Sequence, residues 1–284
     1  MTTGDDLASF RGGTIHLMEQ AENLLALGHD VCIFAQDRGP LPQPTSVPIR
    51  HLPAPGGGML RLLGYNLCLF LSLLWSGLRR RPDIMHTRQM GYSATPLLVA
   101  RLLGVSHVLE VNGVLRDELV GQGVSRFRLA LIDLFARVNL HRSDAFTTTT
   151  GQYRDRLFSL YGVDRSRWTQ MPCGVNENRF RPGDRDAARR RLGLSAKTFA
   201  LLHAGSLYDW HGLDVLIEAL AAVEARRIPD WQLWLVGDGV VHLRDLGVRV
   251  MRVLPVVIGE TFFGRFLSSL ATSACRGPKP WPTS

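Results

Sequence analysis

Short apolar runs ending in polar residues recur along this chain. Each is led in by an amphipathic stretch of helical length, and several of those stretches are closed by glycine. No other feature constrains the fold as much. A run apolar on both sides of its backbone is a strand covered on both faces, and strands joined through helices run parallel. In "TIHLMEQAENLLAL", residues 14–27, Ile15, Met18, Ala21 and Leu25 share one helical face. Gly28 then supplies a residue able to take the left-handed helix end, and "HDVCIFAQ" comes next as a buried strand. A helix over residues 60–78 leads to "PDIMHTR", and one over 94–103, closed by Gly104, leads to "SHVLEVNG". A helix over 126–140 leads to "SDAFTTTT", and one over 152–161, closed by Gly162, ends the series. The expected class is α/β with a doubly wound sheet.

The rhythm then restarts. "WTQMPCGVNENRFRPGD" carries Pro172, Gly174, Pro182 and Gly183 and reads as an inter-domain connection. Beyond it come a helix over 185–192, the strand "TFALLHAG", a helix over 213–225 and the strand "WQLWLVG". The 284 residues accommodate two ordinary domains. They divide as 1–170, a first Rossmann-like domain, and 171–239, a partial second one. Residues 240–284 show no continuation of the pattern and read as a tail poorly packed on the rest. Within it, Phe262, Phe263, Phe266, Leu267 and Leu270 could line one side of a helix over 261–271. Residues 1–10 read as a segment just downstream of a first strand, so the beginning looks clipped.

Charge and apolarity narrow the partners. The net charge of +8, almost wholly from arginine, favours anionic ligands or surfaces. The arginines are spread along helices without interleaved aromatics, which argues against nucleic acid. An uncharged run over residues 62–78 is followed by Arg79, Arg80 and Arg81. Its 17 residues sit at the lower edge of a membrane span. The first reading of residues 62–81 is a helix packed on a sheet, the second a helix laid on an anionic membrane surface and the third a true span. Cys32, Cys68, Cys173 and Cys275 have no metal-ligand spacing and suit a reduced, cytoplasmic protein.

Polar residues stand at successive strand ends, where open α/β sheets bind ligands: His86 and Arg88, then Glu110 and Asn112, with Arg116 just beyond. Gly12 and Gly13 precede a helix, whose free N–H groups suit a phosphate. No G-x-G-x-x-G follows a strand, so a dinucleotide-dependent dehydrogenase loses its main support. Nor is there a G-x(4)-G-K-[ST] loop or a G-x-S-x-G elbow.

Taken in order, "RGGTIHL", "LLALGHDV", "RPDIMHTR", "SDAFTTTTGQYRDRL", "MPCGVNENRFRP", "AGSLYDWHGLDVLIEAL" and "LWLVGDG" resemble the retaining nucleotide-sugar glycosyltransferases of the large fourth family over residues 10–239. The resemblance implies the GT-B fold, two Rossmann-like domains, the second incomplete here. It also implies transfer of a sugar from a nucleotide-diphosphate sugar to an acceptor hydroxyl, with retention, in polysaccharide or glycolipid assembly. The sugar nucleotide is a substrate, and neither cofactor nor metal is implied. The setting would be cytoplasmic, peripheral at the inner membrane face. Gly12 and Gly13 would face the donor diphosphate, with Ser206 and His211 where the family carries arginine and lysine. Asn112 stands where the family often has histidine, and with Glu110 it forms the candidate catalytic pair. His86, Arg88 and Arg116 would line the acceptor side. The family's donor motif, E-x(7)-E near a late helix, is not found after residue 239. Glu110 and Glu118 have that spacing but lie in the first domain. The chain is therefore expected to bind donor weakly and turn over little. The alternative is an inactive remnant or an acceptor- or membrane-binding module.

Overall fold

The computed structural model of the chain describes residues 1–4, 6–9, 11–41, 43–120, 123–205, 211–225, 231–236 and 251–254. It separates into two compact units, Met1–Glu177 and Asn178–Ser284.

The first unit is built on one parallel sheet. Its named strands are β1 (Ile33–Gln36), β2 (Ile49–Leu52), β3 (Ile84–Arg88), β4 (Ser106–Val111), β5 (Ala145–Thr148) and β6 (Trp168–Gln170). Two strands, β1 and β2, pair with each other, and β3 to β6 pair in order, all in parallel. The two groups join through Met1–Thr3. Thr2 N donates to His86 O and Arg88 N to Thr2 O, both at 2.9 Å, while Phe34 N donates to Met1 O on the other side. The opening residues therefore occupy a central strand position, whereas the sequence pattern suggests only a segment downstream of a strand.

Helices cover both faces of the sheet. They are α1 (Gly12–Ala26), α2 (Gly58–Arg79), α3 (Thr95–Leu103), α4 (Leu115–Val120), α5 (Arg126–Arg142) and α6 (Gly151–Tyr161). Side chains alternate along a strand. Phe34 and Met85 accordingly join Leu69, Leu73 and Val99 of α2 and α3, whereas Ile33 and Ala35 join Leu17 and Ala21 of α1. Local chemistry sets several helix ends. Ser125 and Thr150 accept from the N–H groups of Arg128 and Tyr153 at the starts of α5 and α6. Gly104 and Gly162 close α3 and α6 at φ 63°, a conformation costly for other residues.

Three expectations change. The buried residues of α1 are Thr14, Leu17 and Ala21, so Ile15 is not on the inward face. Two short edge strands, β2 and β6, escape the apolar pattern, because exposed Arg50, His51, Thr169 and Gln170 break the run. The stretch after residue 239, read as showing no continuation of the α/β pattern, contributes β9 (Met251–Leu254).

The second unit holds α7 (Arg185–Arg191), β7 (Phe199–Ala204), α8 (Leu213–Ala225), β8 (Trp231–Val236) and β9, with β7, β8 and β9 parallel in that order. Asp184 caps α7, accepting from Asp186 N and Ala187 N. Leu213, Ile217 and Leu220 of α8 pack on Trp231, Leu233 and Leu235 of β8. The helix expected over 261–271 lies outside the described residues. The fold class is therefore as expected, α/β with parallel sheets throughout.

Candidate functional site

Strand register brings the site together. Arg88 of β3 lies opposite Glu110 of β4, which lies opposite Thr147 of β5. His86 and Arg88 are two apart, as are Glu110 and Asn112, so all four side chains leave the same face at the C-terminal end of the sheet. Helix α1 crosses that face. Its first turn carries Gly12 and Gly13, and its second adds His16.

At the centre is Glu110, fully buried. Its Oε1 is 3.0 Å from His16 Nε2 and 3.5 Å from Arg88 Nη1, and its Oε2 is 3.2 Å from His86 Nε2. The Asn112 amide donates to Oε1. Burial alone would raise the Glu110 pKa. The His16 and His86 imidazoles and the Asn112 amide outweigh it and hold the carboxyl far below the usual carboxylate range. Arg88 also donates to Gly13 O at 3.2 Å, which ties the glycine pair to the charged cluster.

Several polar atoms here are buried without a hydrogen-bond partner: His86 Nδ1, Asn112 Oδ1 and Thr147 Oγ1. Buried polar groups left unsatisfied are uncommon and cost free energy, so these three, near the C-terminal ends of neighbouring strands, are groups able to bond a polar ligand. Gly12 adds a second sign. A Cβ there would meet nothing, so local packing does not require glycine, and the first N–H groups of a helix have no intrahelical acceptor and suit an anion.

The other expected site residues fall elsewhere. Arg116, on α4, forms an ion pair with Asp133, which also accepts from Tyr161 OH. His211 belongs to the second unit, at the entrance to α8, with its ring 6.0 Å from that of His203. Ser206 lies outside the described residues. Glu118 is half-buried on α4, and burial raises its pKa. His16 is a site residue that the sequence pattern does not single out. Its only signal there is its place four residues after Gly12, one turn into the helix.

A family model described as "Glycosyl transferase 4-like domain" matches residues 11–174. Among curated proteins, D-inositol 3-phosphate glycosyltransferase 1 of Catenulispora acidiphila is 30% identical over 226 residues, 74% of this chain and 52% of that protein. The D-inositol 3-phosphate glycosyltransferase of Stackebrandtia nassauensis is 28% identical over 233 residues, 75% and 51% of the two chains. The chain thus spans about half the length of these relatives. Among solved structures, WaaG, a glycosyltransferase involved in lipopolysaccharide biosynthesis, superposes with TM-score 0.66 at 19% identity, covering 94% of this chain and 70% of its own. HepE of Anabaena, solved with UDP-glucose, gives TM-score 0.59 at 16% identity, with 89% and 68% covered. The GT-B fold is shared with these structures, and the matched residues span more than half of the sequence: the chain belongs to the glycosyl transferase 4-like family.

Proposed function

We propose that this chain is a glycosyltransferase that moves a sugar from a nucleotide-diphosphate sugar to an acceptor hydroxyl, with retention, in polysaccharide or glycolipid assembly. The anomeric carbon leaves the diphosphate oxygen and bonds to the acceptor oxygen, whose proton is released. The carrying observation is the convergence of His86, Arg88, Glu110 and Asn112 on the glycine-led end of α1. The free N–H groups there offset the charge of a departing diphosphate. The solved relative that holds UDP-glucose supports this class of donor. Glu110, enclosed by its partners, acts as a positioning residue for Arg88 and Asn112. His86 and Asn112, with their unfilled hydrogen-bonding capacity, and Arg88 beside them are the groups offered to substrate. The acceptor would be carbohydrate or lipid-linked, met by a cytoplasmic protein peripheral to the inner membrane face.

Calorimetric titration with UDP and UDP-glucose tests the donor site. Gly12→Asp is expected to lower affinity at least tenfold by placing a carboxylate at the anion's position. Gly12→Ala should instead stabilise the fold by about 0.5 kcal/mol, as alanine does in a helix, while still weakening binding. Unchanged affinity in both variants would remove α1 from the donor site.

A second reading, an acceptor- or membrane-binding module with little turnover, is favoured by one feature. The two positions where the family carries cations are Ser206 and His211. His211→Lys should then strengthen diphosphate binding several-fold, as a nearby unit charge on a partly exposed site does. No gain from that change would count against a cation deficit on the donor side.

A further inference from the structure

The apolar character of α2 is not used up by packing. Tyr65, Leu69, Leu73 and Gly77 recur every four residues and are buried. On the opposite side Leu60, Leu63, Leu67, Leu71, Trp75 and Leu78 form a continuous stripe, each between 55% and 70% exposed. Leu98 and Leu102 of α3 are likewise more than half exposed. The two helices pack on each other through Gly77, where a Cβ would run into Leu103. Singly scattered surface leucines need no explanation, but a stripe along a helix about 33 Å long does.

We propose that this face of α2 and α3 docks, in plane, on a bilayer surface bearing anionic headgroups. The proposal rests on the reading of a membrane-borne acceptor and says which surface of the chain meets that membrane. Charge supports the assignment. Neither helix contains an acidic residue. Exposed Arg61 lies near one end of the stripe and exposed Arg79 at the other, with the Arg79 guanidinium 4.2 Å above the Trp75 ring. A tryptophan beside arginine at the end of an apolar face suits the boundary between headgroups and acyl chains.

The helix lies on the membrane and does not cross it. Its length and hydropathy would allow a span. But its inner face is core: Tyr65 OH donates to Thr3 O, and Asn66 Oδ1 accepts from Ser93 and Thr95 hydroxyls. Insertion would strip those partners away and leave polar groups in hydrocarbon. A second copy is a poorer occupant. Two-fold antiparallel packing of α2 on itself brings Arg61 towards its partner's Arg79, with no carboxylate on either helix to offset them.

The full chain is to be floated with vesicles of phosphatidylcholine alone and of phosphatidylcholine mixed with phosphatidylglycerol. Binding is expected to the mixed vesicles, weakening as salt rises, with much less to the neutral ones. Leu67→Glu with Leu71→Glu should lower partition at least tenfold, and Arg61→Glu with Arg79→Glu several-fold. All four side chains are exposed, so an unchanged melting temperature and unchanged UDP-glucose titration in lipid-free buffer will show that fold and donor site are intact. Failure of that titration in the parent chain counts against the transferase reading and leaves the vesicle result to be judged separately. Equal binding to both vesicle types, binding unaffected by the leucine changes, or a lipid-independent dimer abolished by those changes would each overturn the proposal.

Discussion

Replacing Glu110 by alanine is expected to destabilise the first unit by about 3–5 kcal/mol, the cost of breaking a buried charge cluster by removing one partner. The carboxylate is fully buried and faces His16, His86 and Arg88 within 3.5 Å, so its loss removes the acceptor that these three side chains and the Asn112 amide share. Glu110→Gln preserves shape and one hydrogen-bond acceptor, and should cost about 2 kcal/mol, the scale of a hydrogen bond to a charged group. Urea unfolding at neutral pH measures both. Because the folded pKa is depressed, this stabilisation is present above the unfolded value near 4.5 and is lost as pH falls below it. The gap between parent and Glu110→Gln should therefore narrow on acidification below that value. Binding is expected to respond differently from stability. With one negative charge removed from the site, UDP affinity should hold or rise, while transfer falls because Asn112 and Arg88 lose a shared anchor. A parallel loss of stability and UDP affinity would instead mean that Glu110 touches the ligand.

The two levels, fold and site, are unequally legible in the sequence. Alternation of apolar runs and glycine-closed helices is a long-range pattern, and it identifies the parallel α/β class because few architectures satisfy it. It does not find β2 or β6, whose three or four residues include exposed polar ones and whose membership in the sheet depends on the neighbouring strand alone. The inward face of α1 is read correctly at Met18, Ala21 and Leu25 and misread at Ile15, for a related reason. Ile15 is apolar but Thr14 is the residue that turns inward, held by a hydrogen bond to Asp6 O that no helical periodicity encodes. In the site, His86, Arg88, Glu110 and Asn112 are legible because strand ends can be counted, and register then sets Arg88 beside Glu110. His16 is not, since its meeting with Glu110 depends on how α1 crosses the sheet. Arg116 illustrates the converse: its proximity in sequence to the strand end points to the site, yet Asp133, seventeen residues on, takes its charge.

His107→Gln is expected to remove most of an acid-induced loss of stability between about pH 6.5 and 4. His107 projects from the face of β4 opposite Glu110, fully buried. Its Nδ1 is 2.8 Å from Ser143 Oγ and its Nε2 is 2.9 Å from Thr87 Oγ1. The partners assign the tautomer. Ser143 already donates to Asn139 O, so its oxygen accepts from Nδ1–H. Thr87 accepts from the Thr2 hydroxyl, which frees its own proton for Nε2. The chain of hydroxyls thus runs in one direction through a neutral ring, and a second ring proton would oppose the Thr87 hydroxyl. Burial lowers the His107 pKa to about 4, against a partial rise from Asp144, with His86 and Arg101 adding to the lowering. The folded state therefore releases the proton that the unfolded chain binds below about 6.5. Stability is full above that value, declines as pH falls, and levels off near 4. The difference of about 2.5 pKa units corresponds to about 3 kcal/mol, an upper figure for a network that can relax. Glutamine retains a donor and an acceptor without titrating, so it should cost about 1–2 kcal/mol at pH 7.5, the scale of one imperfect buried hydrogen bond. Urea midpoints of parent and variant should then converge and cross as pH falls towards about 4.5, still above the range where Glu110 takes up its proton. Parallel curves across that interval would assign the acid sensitivity to other groups.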